Sequence, residues 1–191
     1  MARPREFDTD QAVDRAMDLF WRRGYAATSL PDLLSELGIG SGSLYGAFGS
    51  KDGLYERALE RYCSQQAEGL VSRLEEATEI RPVIASVLSD LAEADLADPG
   101  RGCLLVNAAT QRSDDPATVE RVGTTFRRVE SALAGALERA QARGEIGPDK
   151  QPAGLARFLT TFIQGLRVMG QARVDRKFLE DAIATALHCL D

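Results

Sequence analysis

The residue types that carry most enzyme and metal chemistry are scarce in this chain of 191 residues. Its one histidine is His188, and its three cysteines, Cys63, Cys103 and Cys189, are far apart and form no C-x-x-C pair. The sequence shows no nucleophile–base pair, no phosphate-binding loop and no ligands at metal-site spacing. We therefore expect a protein that is not an enzyme and that holds neither a metal ion nor a cofactor.

Cys103 is the cysteine whose sequence surroundings most favour a reactive thiol. It follows Arg101 and precedes an apolar segment that could begin a helix, and a neighbouring cation or helix N-terminus favours the reactive thiolate. Two interpretations stay open. Cys103 either senses an oxidant or electrophile, or it is a small buried apolar side chain, as most unpaired cysteines are.

Residues suited to contacting DNA are concentrated before position 52. A helix over 29–37, a tight Gly38-Ile39-Gly40 turn and a short helix over 41–48 have the spacing of a helix-turn-helix, whose second helix enters the major groove. Small residues let the backbone of that helix approach DNA closely, and hydroxyl and amino groups can bind phosphate. The candidate contacts are Ser41, Gly42, Ser43, Tyr45 and, at the start of the next helix, Lys51.

Several of the candidate DNA contacts have a plainer alternative. Tyr45 could be a core aromatic residue, and Lys51 could be a solvated surface lysine. Thr28 and Ser29 are good helix caps, a role compatible with phosphate binding. The basic residues Arg3 and Arg5 could reach a minor groove as an arm, or they could belong to a frayed terminus.

The elements that must position these residues are helical. Asp8 can cap a first helix with apolar residues at i, i+3, i+4 and i+7, and Gly24 can end it. No alternating strand segment and no internal repeat is present, so the sequence predicts an all-α fold of about nine helices. The later helices are predicted over 51–76, from Pro82, from Cys103, from Pro116 to Gly144, over 152–171 and over 175–190.

Residues 24–54 carry a series of short motifs. These are Gly24-Tyr25, Thr28-Ser29-Leu30, Leu37-Gly38-Ile39, Gly42-Ser43-Leu44-Tyr45, Phe48 with Ser50-Lys51-Asp52, and Leu54. Together they resemble the N-terminal signature of TetR-family transcriptional regulators. The segment Arg101-Gly102-Cys103-Leu104-Leu105-Val106-Asn107 is similar to one found in an AcrR-like branch of that family.

This resemblance implies a homodimer whose helix-turn-helix DNA-binding domains, residues 1–50, each read half of a palindromic operator in double-stranded DNA. It also implies that Thr28 and Ser29 bind phosphate. The C-terminal helical domain, residues 51–191, would bind a small-molecule effector that lowers DNA affinity. The function expected is a repressor released by that effector or by thiol modification.

The predicted C-terminal domain offers candidates for both of its implied roles. The last two helices, about 152–190, have broad apolar faces that suit a four-helix dimer seam made from two chains, although internal packing could also use them. Plain core packing is likewise the alternative for most of the candidate effector contacts. These are Cys103, Asn107, Gln111, Phe126, Phe158, Phe162 and Gln164.

The charge distribution limits how the chain could bind DNA. Residues 1–57 hold seven Lys/Arg and nine Asp/Glu, a net charge of −2, and the whole chain carries −6. Where the resembled family often has basic or aromatic contact residues, this chain has Ser41, Gly46 and Ala47. A helical ligand-binding or scaffold protein with a degenerate DNA-binding head therefore stays the alternative. If the chain binds DNA, we expect a salt slope well under the ~10 of heavy phosphate neutralisers.

Composition also bears on where the protein works. An apolar fraction of 44% is that of a folded globular protein rather than of a disordered one. No segment approaches the ~18 uncharged apolar residues of a membrane span, and no secretory signal is evident. We therefore expect a cytoplasmic protein with no membrane partner.

Overall fold

The computed structural model describes residues 7–191, and no strand forms within them. This confirms the predicted all-α fold of about nine helices. The last helix ends at Leu187 rather than at 190, because the chain tightens there into a 3-10 turn over His188–Leu190. The helices are α1 (Thr9–Arg23), α2 (Leu30–Leu37), α3 (Ser41–Phe48), α4 (Lys51–Glu75), α5 (Ile80–Ala97), α6 (Leu104–Gln111), α7 (Pro116–Ala142), α8 (Pro152–Gln171) and α9 (Arg176–Leu187).

Local capping sets the ends of the first helices. The Asp8 carboxylate accepts hydrogen bonds from the backbone N–H groups of Asp10 and Gln11, and α1 ends at Gly24, whose φ is 77°. Ser29 and Asp32 form a reciprocal capping box at the start of α2. Gly38 ends α2 in the left-handed conformation that favours glycine, with φ 65° and ψ 31°.

The chain forms two compact units. The first combines Met1–Gln65 with Leu104–Val122, and the second combines Gln66–Cys103 with Gly123–Asp191. Helices α4 and α7 therefore each contribute residues to both units. Among the described residues, no helix has the length and apolar character needed to cross a bilayer.

The second unit has a continuous apolar core and one buried ion pair. Arg167 Nη1 on α8 lies 3.1 Å from Asp95 Oδ1 on α5, and Arg167 Nη2 donates to the carbonyl oxygen of Gly102. Burial raises the pKa of Asp95 to about 6, against the opposing effect of the Arg167 charge. The core includes Leu74, Ile80, Ile84, Leu88, Leu133, Leu137, Leu159, Leu166, Leu179 and Ile183.

Candidate nucleic-acid interface

Helices α2 and α3 form the predicted helix-turn-helix. Leu33 and Leu37 of α2 and Leu44 and Phe48 of α3 are all buried, as expected of residues that hold two short helices together. The turn between the helices is short because Gly38 reverses the chain directly after α2. The core of the first unit therefore fixes the orientation of α3 through two apolar residues one helical turn apart.

The remaining residues of α3 face solvent. Ser41, Gly42, Ser43 and Tyr45 are all exposed, and Tyr45 keeps 49% of its surface accessible. This exposure excludes the alternative that Tyr45 is a core aromatic. A Cβ at Gly42 would meet no atom within 4 Å, so the backbone there lies open to an approaching ligand.

The N-terminus of α3 has no side-chain cap. Its N-cap residue is Gly40, which has no side chain to satisfy the first backbone N–H groups. Helix α2, in contrast, satisfies one of its first N–H groups internally, since Asp32 N donates to Ser29 Oγ at 3.2 Å. The open N–H groups and the positive end of the α3 dipole make this helix start suitable for a phosphate oxygen.

Thr28 and Ser29 occupy different environments. Thr28 is fully buried, and its hydroxyl donates to the carbonyl oxygen of Gly24 at 2.7 Å. The predicted phosphate contact by the Thr28 side chain does not fit this placement, because a hydroxyl with no accessible surface cannot reach DNA. Ser29 is exposed at the N-terminus of α2 and is the member of the pair that can contact phosphate.

Lys51 begins α4, as predicted, but its amine lies against Tyr25. Lys51 Nζ donates to the Tyr25 carbonyl oxygen at 2.7 Å and lies 4.1 Å from the centroid of the Tyr25 ring. Burial lowers the pKa of Lys51, although the Asp52 charge opposes that effect. The half-buried ammonium is therefore ordered rather than freely solvated, and two of its three N–H donors remain for other partners.

Arg112 is a second cation on the same tyrosine, and sequence reasoning missed it. Its guanidinium lies 4.1 Å from the Tyr25 ring centroid and 5.1 Å from that of Tyr55. Arg112 Nη1 donates to Asp52 Oδ1 at 2.7 Å, and Nη2 lies 3.2 Å from Asp115 Oδ2. No motif marks this arginine, which simply follows α6.

The Tyr25 hydroxyl completes the arrangement by donating to Asp52 Oδ1 at 2.7 Å. Hydrogen bonds from Tyr25 and Arg112 lower the pKa of Asp52, and burial raises the pKa of Tyr25. We call Tyr25, Lys51, Asp52, Tyr55 and Arg112 the Tyr25 cluster. It joins the start of α4 to the turn after α1 and to the end of α6 within the first unit.

The predicted effector contacts are divided between the two units. Asn107 and Gln111 lie on α6 in the first unit, where Gln111 covers Gly24 so closely that a Cβ there would lie 2.5 Å from Gln111 Oε1. Cys103 belongs to the second unit and is 7% exposed. Helix α6 begins one residue after it, at Leu104.

The other four effector candidates lie on α7 and α8 of the second unit. Phe158 and Phe162 are stacked, with ring centroids 5.9 Å apart, and Phe126 and Gln164 are half-buried. A small apolar crevice lies in this unit, and none of the predicted effector contacts lines it. Its lining is entirely apolar, from Leu70, Leu74, Ile84, Val87, Leu88, Leu133, Leu159 and Ile163.

Metal-ligating residues do not converge in the described part of the chain. Over residues 7–191, no three His, Cys, Asp or Glu side chains are grouped so that they could hold a metal ion. The basic candidates Arg3 and Arg5 lie outside the described residues.

Comparison with known proteins covers both units. Residues 12–58 match the family model for bacterial regulatory proteins of the tetR family, and residues 80–186 match that for the tetracyclin repressor-like C-terminal domain. The chain is 32% identical over 195 residues to the uncharacterized HTH-type transcriptional regulator YezE of Bacillus subtilis, with 100% of both chains covered. It is 33% identical over 188 residues to the HTH-type transcriptional repressor ComR of Escherichia coli, covering 97% of this chain and 90% of ComR.

A solved structure extends the likeness to three dimensions. It is a cysteine mutant of the TetR family transcriptional regulator CifR complexed with 26-bp double-strand operator DNA. It has a TM-score of 0.87 and 33% sequence identity, and the match covers 100% of both chains.

Proposed function

Because the chain belongs to the TetR family of bacterial regulatory proteins, we propose that it is a homodimeric repressor of a palindromic operator, released by a small effector or by thiol modification. The observation that carries the DNA-binding part is the exposed face of α3. An uncapped helix N-terminus and the exposed Tyr45 are held on an apolar helix-turn-helix core. DNA binding is also supported by relatives that are named as repressors and by the structure of CifR bound to operator DNA.

Ser41, Gly46 and Ala47 stand where the family often has basic or aromatic residues. They suit DNA contacts by the helix backbone rather than by charged side chains. Because α3 has no basic residues, recognition of a DNA sequence depends on close approach of the helix to the bases and on the few hydroxyl groups that the helix presents. Such an interface neutralises few phosphates, so binding is selective and moderately salt-dependent.

The DNA-binding proposal is tested by selecting duplexes from a random library with the purified protein. We expect enrichment of a palindromic sequence that also occurs in the DNA upstream of the protein's own gene. Recovery of unrelated sequences, with no consensus, would contradict the proposal and favour a ligand-binding protein with a degenerate head.

Dimerisation is supported by apolar side chains that α8 and α9 leave exposed. Phe158, Val168, Met169 and Phe178 each keep more than a third of their surface accessible. A second copy of the chain covers this surface in the proposed dimer. Phe158→Glu should therefore shift the mass measured by light scattering toward a monomer, and an unchanged dimer would exclude this face.

Effector binding is supported by two buried polar atoms on α8. Thr160 Oγ1 and Gln164 Oε1 are one helical turn apart and have no hydrogen-bond partner among the described residues. Buried polar atoms normally find partners, so these two suit a small ligand that can donate and accept hydrogen bonds. Gln164→Leu should abolish the thermal shift produced by a ligand recovered from a small-molecule screen; an unchanged shift would exclude Gln164.

Thiol modification is the alternative route of release. Cys103 is buried, and it directly precedes α6 and follows Gly102, whose carbonyl accepts from Arg167. Because the thiol is buried, its modification would require the surrounding residues to move. If Cys103→Ala keeps full and normally inducible repression in cells, thiol release is excluded and the small effector remains.

A further inference from the structure

Most cations of the first unit are already engaged by its own residues. Each of five arginines has a carboxylate partner, and Lys51 is held by Tyr25. Within the described part of the unit, Arg15 and Arg57 are the two arginines without a carboxylate partner. The paired arginines and their partners are Arg22 with Asp18, Arg23 with Asp32, Arg61 with Asp10 and Asp14, Arg112 with Asp52 and Asp115, and Arg121 with Glu60.

Arg57 differs from Arg15 because it lies against the DNA-reading helix. The Arg57 guanidinium carbon is 5.8 Å from the ring centroid of Phe48, the last residue of α3. The Phe7 ring packs on the same side chain, with its centroid 6.3 Å from that of Phe48. Phe48 therefore connects the end of α3 with an exposed cation of α4 and with the first described residue of the chain.

The packing of α4 explains why Arg57 reaches this position. Gly53 lies one turn before Arg57 on the same helix face. A Cβ at Gly53 would collide with the carbonyl oxygen of Phe48, so α4 approaches the end of α3 closely at that point. The long Arg57 side chain, one turn further along, can lie over the Phe48 ring while its charged end stays in water.

We propose that Arg57 binds a backbone phosphate beside the segment read by α3. This inference rests on the proposed function and adds a residue that no motif of the sequence marks. An exposed guanidinium without a carboxylate partner is suited to phosphate, because it offers paired N–H donors in one plane. On a DNA-binding unit with so few unpaired cations, each one contributes measurably to the salt dependence of binding.

The test is a salt titration of DNA affinity with the full-length protein and the duplex recovered in the random selection. Each phosphate contact contributes about 0.9 to the slope of log K against log salt. A dimer of Arg57→Gln loses two contacts, so its slope should be smaller than that of the wild type by about 1.8. Arg57→Lys keeps the charge and should retain most of the slope.

Arg128→Gln is the matched control. Arg128 is an exposed arginine of α7 in the second unit, and its replacement changes the net charge by the same amount. Its slope should equal that of the wild type. Helical circular dichroism of each variant checks that the exposed substitutions leave the fold intact.

Two results would overturn the inference while the proposed function stands. A wild-type slope in Arg57→Gln would show that the side chain does not contact phosphate. An altered sequence preference in repeated selection would assign Arg57 to base readout instead. Failure of the wild type to select any duplex would contradict the proposed function and the inference together.

Discussion

Arg112 gives a quantitative test of the Tyr25 cluster, which joins the start of α4 to the end of α6. Arg112→Met keeps the apolar stem and removes the guanidinium, together with its contacts to Asp52, Asp115, Tyr25 and Tyr55. The expected loss of stability can be worked out from the exposure of each partner.

The Arg112 side chain is 13% exposed, whereas that of Asp52 is 54% exposed. Breaking a fully buried ion pair costs about 3–5 kcal/mol, and an exposed pair contributes about 0–1 kcal/mol. Because Asp52 stays solvated when its partner is lost, we assign about 1 kcal/mol to the ion pairs. A largely desolvated cation on two aromatic rings adds about 1 kcal/mol. The expected total is about 2 kcal/mol.

The assay is urea unfolding followed by tryptophan fluorescence. Trp21 is the one tryptophan of the chain, and it belongs to the first unit, where its ring centroid lies 4.7 Å from that of Tyr62. If the free energy of unfolding falls by about 2 kcal/mol per molar urea, the urea midpoint of Arg112→Met should be lower than that of the wild type by about 1 M. Urea is preferred to guanidinium chloride because it does not screen charges.

The control for Arg112→Met is Arg15→Met, which removes an exposed and unpaired arginine from the same unit. Its midpoint should move by less than the equivalent of about 0.5 kcal/mol. If the Arg112→Met midpoint moves as little as that of this control, the Tyr25 cluster is a solvent-screened surface contact that does not stabilise the first unit.

Three further predictions concern Tyr45, Gly170 and Asp95. Tyr45→Ala should weaken affinity for the selected duplex about tenfold without changing the urea midpoint, since Tyr45 lies outside the core; a lowered midpoint would contradict this. Gly170→Ala should destabilise the second unit by about 1–3 kcal/mol, measured by helical circular dichroism, because the added Cβ would lie 2.5 Å from Asp95 Cβ. Burial raises the folded pKa of Asp95 from 3.8 to about 6, so the folded state retains a proton that the unfolded state releases. Loss of this proton therefore lowers the free energy of unfolding as pH rises from about 4 to about 6. Asp95→Asn should flatten the dependence of that free energy on pH over this range, measured by circular dichroism.

Sequence reasoning succeeds here where short-range chemistry decides the structure. The helix caps at Asp8 and Ser29 and the stop at Gly38 each depend on residues within four positions, and all are observed. Both limits of α3 and the start of α8 follow for the same reason, since Gly40 and Gly49 flank α3 and Pro152 opens α8.

Contacts between distant segments could not be predicted in this way. Arg112 reaches Asp52 across 60 positions, and Arg167 reaches Gly102 across 65, so neither pair leaves a periodic signal in the sequence. Thr28 is misjudged for a different reason, because its residue type suits both a phosphate ligand and a buried turn. Only the packing around it shows that its hydroxyl bonds to Gly24.

We propose that this acidic chain binds one DNA sequence selectively through the exposed face of α3. The most direct measurement is the ratio of dissociation constants for the selected duplex and for a scrambled duplex of equal length, at physiological salt. We predict a ratio of at least ~10³, the lower end for sequence-specific regulators. A ratio near one, or affinity for neither duplex, would contradict the claim.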